Sequence, residues 1–178
     1  AGVSDKAWEF NKTSRMPRFY FNWAKERDNL KKNQTNFTPA ISLIVGLRES
    51  LRILTEEGLE NVYRRSEMLA RATREGARAI GLEIFSKNPS PAVTAICAPE
   101  GIDGQAIYKT LWKKYGVTGA GGQDRLKGRI FRLATLGYAD KYDVITAVAA
   151  IEFALRDLGY AFTVGKGVAA ATDCLKDL

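Results

Sequence analysis

The chain has 178 residues, 46% of them hydrophobic, with a net charge of +7 and no histidine. That is enough apolar material for one real core, and the missing histidine excludes Ser-His-Asp and Cys-His nucleophilic sites and the usual zinc-hydrolase ligand sets within these residues. Cys97 and Cys174 are too few and too far apart for a disulfide framework or a metal knuckle, and read as one buried and one surface thiol.

In chain order, Ser4 followed by Asp5 to Thr13 predicts a short capped helix, and Arg15 to Asn22 an extended aromatic connector. Ala1 to Phe10 carries Asp5, Lys6 and Glu9 where a signal peptide would be apolar. Trp23 to Asn33 is charged enough to be helix or loop. From Pro39 the period becomes helical through Ile41, Ile44, Leu47, Leu51 and Leu54 up to Gly58, with Thr38 placed to cap it and Pro39 at the first helical position. Arg48, Glu49 and Arg52 interrupt this stretch, so no apolar run reaches the roughly 18 to 20 residues of a membrane span, and a cytoplasmic location is expected.

A second long helix is expected from Leu59 to Ile80, with Val62, Leu69, Ala70, Thr73 and Ala77 inward and Gly81 as a left-handed stop. Leu82 to Phe85 and Ala92 to Cys97 are short strand candidates on either side of the turn Lys87 to Pro91. Asp103 to Tyr115 reads as an amphipathic helix, Gly119 to Gly122 as a glycine loop, and Arg129 to Ala134 as a strand. Asp140 to Leu158 is a helix built on Val144, Ile145, Val148, Ile151, Phe153 and Leu155, and Gly165 to Leu178 a further one. Long helices followed by a β-β-α-β-α pattern predict an α+β domain, with a small, mostly antiparallel sheet covered on one side by helices.

The positive charge raises a nucleic-acid reading, because basic surfaces release counterions from phosphate backbones. The charges alternate with acids along helices, as in Glu56-Glu57, Glu60, Arg64-Arg65 and Glu67, which is the pattern of a solvated face; no nucleic-acid partner is expected. Arg132 is the residue with chemical promise. Alternation puts it on the opposite face of its strand from Phe131 and Leu133, where its planar fork needs either a structural carboxylate or a ligand carboxylate. Gln34, Thr35 and Thr38 offer amide and hydroxyl donors beside a helix start, suited to a phosphate or to simple capping. The glycine loop lacks the Lys-Ser/Thr of a P-loop.

The strings PRFYFNW (17–23), QTNFTPAISLIVGLRESLRILTEEGLENVYRR (34–65) and GRIFRLATLGYADKYDVITAVAAIEFAL (128–155), in this order and spacing, resemble the C-terminal small domain of class V aminotransferases. Serine-pyruvate and alanine-glyoxylate aminotransferases are nearest in pattern, together with the branch labelled soluble hydrogenase subunits. The resemblance implies a homodimeric, pyridoxal 5'-phosphate-dependent enzyme moving an amino group between alanine or serine and glyoxylate or pyruvate, and this stretch as one domain preceded by a large cofactor-binding domain. It implies that Arg132 grips the substrate α-carboxylate and that Thr35, with Gln34 beside it, reaches a neighbouring cofactor's phosphate. The Schiff-base lysine of such enzymes belongs to a segment before Ala1, so no catalytic residue is expected here and the chain by itself should be inert. A non-catalytic subunit that keeps this fold for association is the alternative.

Overall fold

The computed structural model describes residues 2–176 and 178, and they fall into two compact units, Ala1–Ile53 and Leu54–Leu178. In the first unit, α1 (Asp5–Thr13) starts where the Ser4 hydroxyl accepts the Ala7 N–H at 3.3 Å, and α2 (Trp23–Leu30) where the Asn22 side chain accepts from Lys25 at 3.1 Å. These short polar side chains satisfy donors that a helix start leaves without partners. Trp8 meets Trp23 edge-on with centroids 6.4 Å apart, and the Arg27 guanidinium lies 4.0 Å from the Trp8 ring centre. The expected connector is irregular, as its aromatic and proline content implies, and Tyr20 stacks on Phe37 at 4.4 Å.

The long helix α3 (Ile41–Glu57) begins two residues later than the Thr38-Pro39 start expected from sequence. The Ile41 N–H turns back to the Pro39 carbonyl, and the first full helical bond runs from Ile44 to Ala40, which makes Ala40 the cap.

The second unit holds the core. The helix α4 (Leu59–Ala79) stops at Gly81, whose φ of +85° lets the Leu82 N–H close on the Ala77 carbonyl at 3.0 Å. Next come β1 (Val93–Cys97), α5 (Gly104–Tyr115) capped by Asp103, β2 (Ala120–Gly121), β3 (Ile130–Ala134), α6 (Lys141–Asp157) and α7 (Lys166–Leu175). The sheet is antiparallel in the order β1-β3-β2. Thr94, Ile96, Phe131 and Leu133 point to its buried face, where Phe131 and Ile96 meet Ile107 and Leu111 of α5 and Ile151, Ala154 and Leu155 of α6. Each such fully buried large side chain contributes about 1.5 to 3 kcal/mol. A second cluster joins Leu69 and Ala72 of α4 to Val144 and Val148 of α6 and Ala171 and Leu175 of α7. The expected α+β architecture, with helices covering one face of a small sheet, is therefore present.

Three expectations are corrected. Leu82 to Phe85 is no strand: only Ile84 bridges Ile96, because Leu82 is already committed to closing α4 and the proline turn begins soon after Phe85. Phe153 does not face the core; it is 41% exposed and stacks on Tyr115 at 5.5 Å, because Val148, Ile151 and Leu155 take the inward stripe of α6. Cys97 and Cys174 are both half-buried free thiols, since each lies at a rim of its packed layer.

Candidate anion-binding site

Arg132 stands at the centre of the three-stranded sheet, opposite Ala95 of β1 and Ala120 of β2. Both neighbours are alanines. The long arginine side chain therefore lies half-buried on the open face without a bulky residue beside it, while Phe131 and Leu133 go to the core. Its Nε and Nη2 both donate to the Gly121 carbonyl, at 3.2 and 2.9 Å. That single acceptor fixes the guanidinium plane, and among the described residues no acceptor meets the other edge of the fork. Among the described residues Arg132 has no carboxylate within ion-pair distance, so the structural ion pair that its sequence setting allowed is not formed.

The Gly121 carbonyl is held in place by packing that only glycine permits. A methyl group at Gly121 would run into the Gln105 amide and the Tyr108 ring, and one at Gly122 into the Leu126 carbonyl. Gln105 Nε2 also donates to the Gly122 carbonyl at 3.3 Å, tying β2 to α5. Gln105 and Tyr108 act on the site across this long sequence separation, and nothing in their local sequence marks them. Beyond β3, the turn through Gly137 is fixed by Arg65, which donates to Gly137 and Ala139 carbonyls at 3.4 and 2.8 Å and is clamped by both Glu57 oxygens at 2.7 and 2.9 Å. That hydrogen-bonded pairing with Arg65 holds the Glu57 carboxyl below its usual range, against the opposing effect of burial. Cys97 shares the open face with Arg132; burial and then the Glu83 charge push its thiol up, which makes it a poor nucleophile.

Gln34 and Thr35 lie in the first unit, in the loop between α2 and α3. Thr35 is exposed, and its hydroxyl donates to the Phe37 carbonyl at 2.5 Å. The Gln34 amide is exposed too, its backbone N–H being taken by the Asn29 carbonyl at 3.0 Å. Glu26 already occupies the neighbouring backbone donor, Asn36 N–H, at 2.9 Å. A cavity of about 330 Å³ opens here, lined by Tyr20, Trp23, Glu26, Thr35, Phe37 and Thr38. The exposed Gln34 amide and, once turned from the Phe37 carbonyl, the Thr35 hydroxyl are side-chain donors of the kind a phosphate takes.

No protein-family model matches the sequence. The chain is 42% identical over 176 residues to the soluble hydrogenase small subunit of Synechococcus sp. (strain PCC 6716), covering 97% of this chain and 46% of that protein. It is 40% identical over 172 residues to the serine–glyoxylate aminotransferase of Methylorubrum extorquens, covering 93% of this chain and 42% of that enzyme. In three dimensions it matches the crystal structure of the ureidoglycine–glyoxylate aminotransferase of Bacillus subtilis with a TM-score of 0.85 at 27% identity, over 97% of this chain and 46% of that one. The chain thus spans just under half the length of the proteins it matches.

Proposed function

We propose, from the premise that this chain belongs to the class V aminotransferases in sequence and fold, that it is the C-terminal domain of a pyridoxal 5'-phosphate-dependent transaminase in which Arg132 holds the substrate's α-carboxylate. The amino donor is alanine or serine, the acceptor glyoxylate or pyruvate, and the enzyme works in the cytoplasm as a homodimer. The observation that carries this reading is the open fork of Arg132: a half-buried guanidinium, oriented by one carbonyl and without a carboxylate partner among the described residues.

Pyridoxal phosphate, when bound, supplies the electron sink that makes the substrate Cα–H bond breakable. This chain's residues do the binding and orienting. A carboxylate laid against the free edge of Arg132 accepts two parallel N–H bonds, and that bidentate contact fixes where the other groups on the substrate Cα point. Thr35 exposes a hydroxyl that one side-chain rotation turns outward from the Phe37 carbonyl, and with the Gln34 amide it would donate to the phosphate of the cofactor in the neighbouring protomer. The lysine that carries the cofactor belongs to the preceding large domain, so the 178 residues alone are inactive.

The test uses the longer protein. Arg132→Ala removes a charge-assisted pair of about 1.5 to 3 kcal/mol and is expected to raise the KM for the amino donor roughly ten- to hundredfold. Arg132→Lys keeps the charge but loses the fork and recovers only part of that affinity. Unchanged steady-state kinetics in Arg132→Ala would remove the residue from the site.

A further inference from the structure

The Gly121 carbonyl that orients Arg132 is an edge group. The Gly122 N–H donates to the Ile130 carbonyl of β3 at 3.0 Å, and in a trans peptide the C=O points opposite to the N–H, so the Gly121 carbonyl leaves the sheet on its outer side. Arg132, paired with Ala120, passes over β2 to reach it. β2 is two residues long and has Gly119, Gly121 and Gly122 in and around it, so its ladder alone does not hold a carbonyl in one direction. What holds it comes from α5. The Gly104 N–H donates to the Gly128 carbonyl at 2.8 Å, and a methyl group at Gly104 would lie 2.8 Å from the Ile130 carbonyl, so the start of α5 is fixed to the start of β3. From that point Gln105 lays its carboxamide on Gly121, where an added methyl group would overlap it, and its Nε2 donates to the Gly122 carbonyl at 3.3 Å. Tyr108, three residues on and on the same face of α5, sets its ring edge against the same glycine.

We infer that Gln105 is a positioning residue for the substrate carboxylate, acting through the Gly121–Gly122 segment and Arg132 rather than by touching the substrate. The inference rests on the reading that Arg132 binds that carboxylate. The Gly121 and Gly122 carbonyls are separated by one glycine Cα, whose torsions are otherwise free, so fixing the second carbonyl removes a freedom on which the direction of the first depends. Two observations separate this role from simple anchoring of the helix. α5 is already held by the Gly104 contact and by Ile107 and Leu111, both fully buried, so it does not need Gln105 to keep its place. Among the described residues, the side chains that donate to the carbonyls of Gly121 and Gly122 are Arg132 and Gln105 alone. Loss of the Gln105 donor frees the Gly121 carbonyl to turn, and the guanidinium plane with it. The cost then falls on every ligand that presents an α-carboxylate, amino donor and 2-oxo acid alike.

Steady-state kinetics of the longer protein, loaded with pyridoxal phosphate, test this with Gln105→Met, which keeps the length of the side chain and removes the donor. The KM values for the amino donor and the 2-oxo acid are expected to rise together, about three- to tenfold as for the loss of one neutral hydrogen bond, with kcat at saturation changed far less. Gln105→Glu, which sets an acceptor against the Gly122 carbonyl, should raise both further. In an Arg132→Ala background, Gln105→Met should change KM by less than about twofold, because the group it positions is gone. A residue that only supports the fold would leave KM unchanged, or would multiply its effect with that of Arg132→Ala. Either result overturns the inference, and the proposed function stands as long as Arg132→Ala keeps its own effect. Unchanged kinetics in Arg132→Ala alone would remove the proposed role of Arg132, and the inference would fall with it.

Discussion

Two charged residues illustrate how a side chain is judged by what it meets. Glu152 is 4% exposed, yet its carboxylate accepts N–H bonds from Gly165, Gly167 and Val168 at 2.6, 2.8 and 3.2 Å, so it is an internal cap for the start of α7. Its partners are complete and it is structural. Arg132 has an incomplete set, and that difference separates a binding candidate from a scaffold residue. The Glu57–Arg65 pair is of the scaffold kind and has a pH signature. Because the folded carboxyl titrates below its ordinary value, its stabilisation is fully present above that ordinary value and is lost as pH falls through the depressed one. Urea midpoints of the wild type and Glu57→Gln should therefore differ at neutral pH and converge in acid. Curves that stay parallel down to low pH would show that the pair does not govern this part of the stability.

At the scale of elements, legibility followed how local the determinants are. The helix at Asp140 was readable from its apolar spacing, and its start is fixed just as locally by a capping box within four residues: Asp140 accepts from Tyr142 and Asp143 at 2.7 and 3.0 Å, and Asp143 accepts from the Asp140 N–H at 2.9 Å. Asp140→Ala should lower unfolding free energy by about 1 kcal/mol, measured by urea denaturation, with the far-UV spectrum otherwise retained. A loss within error would mean that tertiary packing alone positions the start of α6. Leu82 to Phe85 shows the opposite case, since its apolar character fits a strand but its outcome depends on how α4 ends and how the proline turn departs. The position of Arg132 on the open face was legible from alternation along β3. The carbonyl that orients it was not, because the Gly121 contact depends on β2 being drawn against β3 through Gln105 and Tyr108.

At the scale of the molecule, the charge and composition of the whole chain gave little direction, whereas the order and spacing of three segments over nearly its full length pointed to a family that the relatives and the fold match bear out. The unburied residues of the first unit had no counterpart in that reading, because periodicity marks α3 as a helix without telling what covers it. The measurement that tests the account most directly is a single-turnover experiment on the longer protein loaded with pyridoxal phosphate and mixed with alanine or serine without an acceptor. The account predicts a change in the absorbance of the bound cofactor, reversed on adding glyoxylate or pyruvate and weakened in Arg132→Ala at subsaturating amino acid. A cofactor spectrum indifferent to both amino acids would contradict it.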